Sequence, residues 1–160
     1  MKKEIIHLGL MTERTHRRIE AKLQELKRKI ENNQLESGAT FESAQDWHDN
    51  GAYDVLQQDL QVLVTQYDAL KAYLLDVQIL QSRRETSQVD VGNTVVVQYL
   101  GEPSPEKFTI LGTADAETET HWISATSPLG SALIGKEIGQ IISISPNITV
   151  TLLQILAGEF

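Results

Sequence analysis

Residues 53–77 read YDVLQQDLQVLVTQYDALKAYLLDV, and this stretch decides the fold of the first half of the chain. Its large apolar residues recur at alternating steps of three and four, at Tyr53, Leu56, Leu60, Leu63, Tyr67, Leu70, Leu74 and Val77. This alternation is typical of a coiled-coil seam, a narrow apolar stripe that packs against a partner helix. The stretch therefore predicts a long helix with a second helix beside it.

A shorter seam with the same alternation lies upstream, at Ile19, Leu23, Leu26 and Ile30. Thr12 precedes it as a candidate N-cap, and no proline occurs before Pro103 to break either helix. Residues 31–51 contain several Asn and Gly residues that favour turns, so we place the reversal of the chain there. The sequence predicts an antiparallel coiled-coil hairpin over residues 1–80, with an acidic tip near 41–53.

The second half of the chain changes period. Short β-branched runs, bounded by Gly, Pro or Asn, occupy residues 94–99, 107–111, 122–124, 140–145 and 148–156. They predict a small, largely antiparallel sheet. One short helix interrupts it, with Ser127 as N-cap, Pro128 at the first position and Gly135 as the stop. We assign residues 89–160 to this sheet domain and the polar residues 81–88 to a linker, which makes the chain an α+β protein.

The composition excludes several classes of protein. The chain has 160 residues, 41% hydrophobic and 22% charged, which suffices for one or two small domains but not for a large multidomain enzyme. It has no cysteine, so disulfide scaffolds, cysteine zinc sites and thiol nucleophiles are excluded, and we expect a cytoplasmic protein. No apolar run approaches the roughly 20 residues of a membrane span, so we expect no membrane partner.

The formal net charge of −8 is unevenly distributed. Residues 1–30 carry a net charge of +5, residues 31–80 one of −8 and residues 81–160 one of −5. A helical wheel gathers most of the basic residues opposite the first seam, as a basic stripe formed by Arg14, Arg17, Arg18, Lys22, Arg28 and Lys29. The stripe could contact the phosphates of a nucleic acid, and the alternative is a solvated coiled-coil flank.

Residues 127–139 read SPLGSALIGKEIG and resemble the SPLGxALxGKxxGD signature of the bacterial Gre transcript-cleavage factors, with Gln140 where the Asp is usual. Residues 91–95, VGNTV, resemble the family's VGDxV strand entry, and the start of the first helix resembles its MTxxGxxKLxxELxxLK opening without the Gly. The resemblance covers about residues 10–156. It implies a coiled-coil hairpin followed by a small FKBP-like antiparallel β domain with one short helix.

The expected tip, residues 45–53, reads QDWHDNGAY and resembles the family's GDLxENAEY-like motif. In this match Asp46 and Asp49 take the positions of two acids, and Asn50 and Tyr53 those of the motif's Asn and Tyr. The chain departs from the motif at four positions. Gln45 stands in place of Gly, Trp47 in place of Leu, and Asp49 in place of Glu. Ala52 stands in place of the third acid.

The resemblance implies a transcription elongation factor that binds bacterial RNA polymerase, enters its secondary channel and stimulates the polymerase's own cleavage of backtracked RNA. Asp46 and Asp49 would help the polymerase to hold a second Mg²⁺, an ion that binds through one or two carboxylates and phosphate oxygens. The basic stripe would meet the 3′ end of the nascent RNA or the channel wall. Polymerase docking would involve the sheet domain, including Ser127, Pro128, Leu129 and Gly130. We expect a monomer with no small-molecule substrate and no enzymatic activity of its own.

Several alternatives stay open. A Gre-like protein that fills the channel without promoting cleavage, as Gfh-type relatives do, fits the altered tip. His48 is either a third metal ligand or proton shuttle, or a solvated loop histidine. Trp47 either packs on the end of the hairpin or stacks on a base. Ser127 is predicted to be a helix cap rather than a nucleophile, because no His lies at a motif distance from it.

Overall fold

A computed structural model describes residues 9–43 and 51–160, and of residues 41–43 it describes only the backbone. The described residues form two compact units. The sheet unit contains residues 9–15 and 77–160, and the hairpin unit contains residues 16–76. The sequence patterns predicted a linker at residues 81–88 between the two domains. In the structure the sheet unit contains this linker and also residues 77–80 before it.

The hairpin unit is formed mainly by two long helices, α1 (Glu13–Ser43) and α2 (Gly51–Leu75). Every predicted seam residue from Tyr53 to Leu74 is half-buried, while the polar residues between them are mostly exposed. The side-chain amide of Asn33 donates to the carbonyl of Leu56 at 3.1 Å, and Leu26 shares a shallow groove with Leu70. Residues later in α1 therefore meet residues earlier in α2, which confirms the antiparallel hairpin.

The predicted range for the chain reversal, residues 31–51, was too wide at its start, because α1 continues through residues 31–43. Asn33 and Ser37 continue the alternation of the first seam and are 8% and 5% exposed. The Ser37 hydroxyl donates to the side-chain oxygen of Asn33 at 3.4 Å. Such residues favour turns when their side chains compete with the helix backbone, but here they bond within the helix and across to α2. Residues 44–50, which follow α1 and precede α2 in the chain, lie outside the described residues.

The sheet unit is built around five strands: β3 (Asn93–Tyr99), β4 (Glu106–Leu111), β5 (Trp122–Ser124), β6 (Ile141–Ser145) and β7 (Ile148–Ala157). Their order in the sheet is β5-β4-β3-β7-β6. All five strands were predicted. The sheet is mixed rather than wholly antiparallel, because β5 pairs parallel to β4. A parallel pair needs a crossover instead of a tight turn, and that crossover contains a second short helix, α3 (Thr113–Ala116), which the sequence patterns missed.

The core of the sheet unit lies between one face of the sheet and the helix α4 (Pro128–Leu133). Alternate residues of β3, Val95 and Val97, are fully buried there together with Leu133 of α4. The caps of α4 are as predicted. The Ser127 hydroxyl accepts a hydrogen bond from the Gly130 N–H at 3.0 Å, and Gly135 follows the helix with a φ of +78° that favours glycine.

The start of α1 is attached to the sheet unit by a small parallel sheet of two strands, β1 (Leu10–Met11) and β2 (Gln78–Ile79). Met11 is fully buried. The predicted linker, residues 81–88, contains neither helix nor strand, but it is not a free tether. Ser82 donates to the carbonyl of Gly158 at 2.7 Å, and the side chain of Asn93 donates to the carbonyl of Glu85 at 2.9 Å.

Candidate functional site

The link between α1 and α2 contains most of the predicted tip residues. Asp46, Trp47, His48, Asp49 and Asn50 all fall within residues 44–50 and lie outside the described residues. Their position in the chain is nevertheless defined by the helix ends, because α1 ends at Ser43 and α2 begins at Gly51. Among the side chains of residues 9–40 and 51–160, no three His, Asp or Glu come together as a metal site would require.

Tyr53 is the predicted tip-support residue that the structure describes. It is half-buried in the first turns of α2. It lines a cleft of about 320 Å³ between the two helices, with Gln34, Ser37, Gly38, Gln57 and Leu60. The end of the hairpin next to the link therefore combines the Tyr53 ring and Leu60 with a polar seam, formed by Asn33 and Ser37.

The polar seam gives a first testable prediction. We expect Asn33→Leu to raise the free energy of unfolding by about 1 kcal/mol more than Asn32→Leu does, as measured by urea denaturation. Both changes gain a similar helix propensity, but only position 33 is buried against α2, where an apolar side chain replaces a polar one. Equal effects at the two positions would contradict the placement of Asn33 in the seam.

The basic stripe is partly neutralised within α1 itself. Glu25 lies between Lys29, at 2.7 Å, and Lys22, at 3.2 Å. Hydrogen bonds from Lys29 and Lys22 hold the pKa of the Glu25 carboxyl below its ordinary value. All three side chains remain substantially exposed, so these pairs are weak and can exchange for other partners.

Arg14 is the member of the basic stripe that lies in the sheet unit. Its guanidinium forms an ion pair with Glu119 at 3.0 Å and lies 5.7 Å from the centre of the Trp122 ring. These contacts hold the side chain on the sheet unit. The other members of the stripe follow in the same helix, within the hairpin unit: Arg17, Arg18, Lys22, Arg28 and Lys29.

The SPLG residues play mainly structural roles. Ser127 caps α4, and its hydroxyl also donates to the carbonyl of Ser124 at 2.7 Å. Leu129 packs against the core, and Gly130 is buried against the backbone of Ser124. Pro128 is exposed and is the residue of this motif that is most available to a partner.

Alanine substitutions at two glycines give a second prediction, because they should change the free energy of unfolding in opposite directions. A Cβ atom at Gly130 would overlap the carbonyl oxygen of Ser124, so we expect Gly130→Ala to lower the free energy of unfolding by about 3 kcal/mol. Gly38 lies in the helix α1 with open space around it, so Gly38→Ala should raise that free energy by about 1 kcal/mol. Thermal unfolding of both variants tests this, and a stabilising Gly130→Ala would contradict the close packing of α4 on β5.

Sequence patterns missed a buried carboxylate in the sheet unit. Asp115 of α3 is fully buried and accepts hydrogen bonds from the backbone N–H of Thr12 at 3.0 Å and from its hydroxyl at 2.6 Å. The Thr12 hydroxyl in turn accepts from the N–H of Thr15 at 3.3 Å, which confirms Thr12 as the N-cap of α1. In the sequence, the sign of this site was an acid, Asp115, that lies between two alanines shortly after the strand β4.

Sequence comparison relates the chain to one family of known proteins. The family model described as the C-terminal part of the transcription elongation factors GreA and GreB matches residues 84–157. Over 135 residues, the chain is 30% identical to transcription elongation factor GreA of Streptococcus suis, with 84% of each protein covered. The chain belongs to the GreA/GreB family of transcription elongation factors.

Other Gre proteins are similar over almost the full length of this family member. GreA of Streptococcus uberis is 29% identical over 150 residues, covering 93% of this chain and 94% of the relative. Among solved structures, GreA factor homolog 1 of Thermus thermophilus aligns with 91% of this Gre chain and 97% of its own, at 20% identity and a TM-score of 0.43. Within the part of the Gre chain that the structure describes, no helix is long and apolar enough to cross a membrane.

Proposed function

We propose that this Gre-family chain binds bacterial RNA polymerase, inserts its hairpin into the secondary channel and stimulates the polymerase's own cleavage of backtracked RNA. The observation that supports this function is the confinement of Asp46 and Asp49 to the short link between α1 and α2. The 25 residues of α2 alone span about 37 Å at 1.5 Å per residue. A pair of helices of that length can present two carboxylates deep inside a narrow channel.

The donor chemistry of the link fits Mg²⁺. This ion prefers oxygen ligands and is held in nucleotide-processing sites by one or two carboxylates together with phosphate oxygens and water. Asp46 and Asp49 would supply the carboxylates, while the polymerase and the RNA would supply the rest. When bound, Mg²⁺ stabilises the negative charge that develops on the reacting phosphate. The chain's own contribution is to bring two negative side chains to the polymerase active site, so the nuclease activity belongs to the polymerase.

The sheet unit is the proposed docking part. Its α4 segment is capped by Ser127 and exposes Pro128. The hairpin unit then carries the basic side chains that would face the displaced 3′ segment of the RNA. Lys22 and Lys29 can exchange their weak contacts to Glu25 for RNA phosphates.

The basic stripe gives a third prediction. We expect the triple change Arg18→Gln, Lys22→Gln and Lys29→Gln to slow action on long backtracked RNA about tenfold more than on short RNA, as measured by transcript-cleavage rates. Only a long 3′ segment would extend along the helix far enough to meet these side chains, and each lost phosphate contact weakens binding. Lys27→Gln is the matched control, because Lys27 lies on the other flank of the seam and faces Glu31. Equal loss on both RNAs would instead indicate contacts to the channel wall.

A second candidate function is occupation of the channel without cleavage. The observation that favours it is the altered tip sequence, in which Ala52 stands where the motif has a third acid. A transcript-cleavage assay on backtracked complexes separates the two candidates. Faster release of 3′ RNA fragments supports the first, whereas inhibition of cleavage at concentrations that saturate the polymerase supports the second. No effect on cleavage and no polymerase binding would contradict both.

A further inference from the structure

One surface of the sheet unit has no role in the proposed function. Between Glu137 and Glu159 the sequence carries no Asp, Glu, Lys, Arg or His, although 22% of the whole chain is charged. This uncharged segment forms β6 and β7. It includes several large apolar side chains that are exposed to solvent: Ile138, Ile141, Ile148 and Leu153. Exposed large apolar side chains are a feature of interaction surfaces.

The strand β6 is an open edge of the five-stranded sheet. Its sequence, IISIS, contains none of the charges or prolines that usually protect an edge strand from pairing with another chain. The side chain of Ile141 is 75% exposed and that of Ile138 is 56% exposed. The edge is therefore both unprotected and flanked by apolar side chains.

The backbone of β6 presents hydrogen-bonding groups along this edge. The N–H of Leu152 in β7 donates to the carbonyl of Gln140 at 3.0 Å, so Gln140 bonds toward β7. In an antiparallel pair the bonding direction alternates along the strand. The N–H and carbonyl groups of Ile141 and Ser143 therefore face away from β7, and no other strand of the described residues lies on that side.

The opposite edge of the sheet differs. There β5 ends in a tight turn in which the N–H of Ser127 donates to the carbonyl of Ser124 at 2.9 Å, and the Ser127 hydroxyl donates to the same oxygen. At its start, the N–H of Trp122 donates to the carbonyl of Glu119 at 3.1 Å. Local turns thus provide hydrogen-bond partners for the Trp122 N–H and the Ser124 carbonyl of β5. The edge strand β6 has its outward N–H and carbonyl groups at Ile141 and Ser143.

We propose that β6 pairs antiparallel with β6 of a second copy of this chain, joining two sheets into one. With the two-fold axis beside Ile142, Ile141 of each copy lies opposite Ser143 of the other, and their outward N–H and carbonyl groups form reciprocal hydrogen bonds. The exposed Ile141 side chains then pack on one face of the joined sheet. This inference is independent of the proposed function and differs from the monomer that we expected from the sequence.

The absence of charge along this segment supports a second copy as the occupant of this edge. Each chain carries a net charge of −8, so two copies repel each other over most of their surfaces. The uncharged segment is a stretch where they can meet without like charges in contact. A strongly charged partner strand would find no complementary charge there, whereas an identical strand matches it in polarity, length and exposed backbone groups.

The test uses the full chain. Sedimentation equilibrium between 1 and 200 µM should show the mass rising from 17.9 kDa toward twice that value. Ser143→Pro removes an outward N–H that β7 does not use, and Ile141→Lys adds a charge to the edge. We expect each to raise the dimer dissociation constant at least tenfold. Leu100→Lys is the matched control, because Leu100 is 84% exposed but lies outside the uncharged segment.

Hydrogen exchange supplies a residue-level measurement. The amides of Ile141 and Ser143 should exchange at least tenfold more slowly at the highest concentration than at the lowest. A mass fixed at 17.9 kDa, a dimer unaffected by both edge variants, or equal weakening by Leu100→Lys would each overturn the proposal. If the chain stays monomeric and RNA polymerase slows exchange of these two amides, the polymerase is the occupant and the second copy is excluded.

Discussion

Asp46→Asn and Asp49→Asn are each expected to lower the stimulated rate of RNA cleavage on the order of a hundredfold, with polymerase affinity unchanged within about twofold. Asn keeps the size of the side chain but removes the negative charge that Mg²⁺ requires, and loss of one electrostatic stabiliser at a reacting centre typically costs that much. Cleavage rates of purified backtracked complexes, measured at saturating concentrations of each variant, give the answer.

Asp54→Asn is the matched control for these two variants. Asp54 is an exposed acid in the first turn of α2, close to the link in sequence but outside the matched motif positions. We expect it to retain full stimulation. If Asp54→Asn loses as much activity as the other two, the effect comes from the general negative charge of the hairpin end, and the assignment of Asp46 and Asp49 is wrong.

Asp115→Ala is expected to lower the free energy of unfolding of the sheet unit by about 3 kcal/mol, as much as Gly130→Ala. Truncation leaves the N–H and the hydroxyl of Thr12 buried without their acceptor, and an uncompensated buried polar group costs far more than an exposed one. Denaturant unfolding measures the loss. Glu117→Ala, an exposed acid in the same segment, should change stability by about 0.5 kcal/mol or less.

A double-mutant cycle separates this contact from general damage to α3. Thr12→Val removes the hydroxyl but keeps the shape of the side chain, and its effect should be much smaller in the Asp115→Ala background than in the wild type. Additive losses would show that Thr12 and Asp115 act independently, contrary to the hydrogen bonds between them.

Much of the fold follows from local patterns. The alternation of three and four between Tyr53 and Leu74 predicted the half-buried face of α2 because coiled-coil packing depends on side-chain period alone. The caps at Thr12 and Ser127 were predictable because each side-chain oxygen serves a backbone N–H a few residues away. The five strands followed from their β-branched runs.

The differences between the sequence predictions and the structure arise from contacts between distant parts of the chain. Asn33 and Ser37 carry turn chemistry, yet they are helical because α2 covers them and accepts a hydrogen bond from Asn33. The parallel pairing of β5 depends on a crossover, which strand patterns do not reveal. Asp115 becomes important only because folding brings it to a residue 103 positions away in the chain. The assignment of Asp46 and Asp49 stays a prediction, since both lie outside the described residues.

The central claim is that the acids of the link help the polymerase to use a second Mg²⁺, and the Mg²⁺ dependence of RNA cleavage tests it most directly. The measurement compares backtracked complexes saturated with the wild-type chain or with the double variant Asp46→Asn and Asp49→Asn. We expect the wild type to lower the Mg²⁺ concentration for half-maximal cleavage at least tenfold, and the double variant to leave it unchanged although it still binds. The same Mg²⁺ requirement with both proteins would contradict the claim.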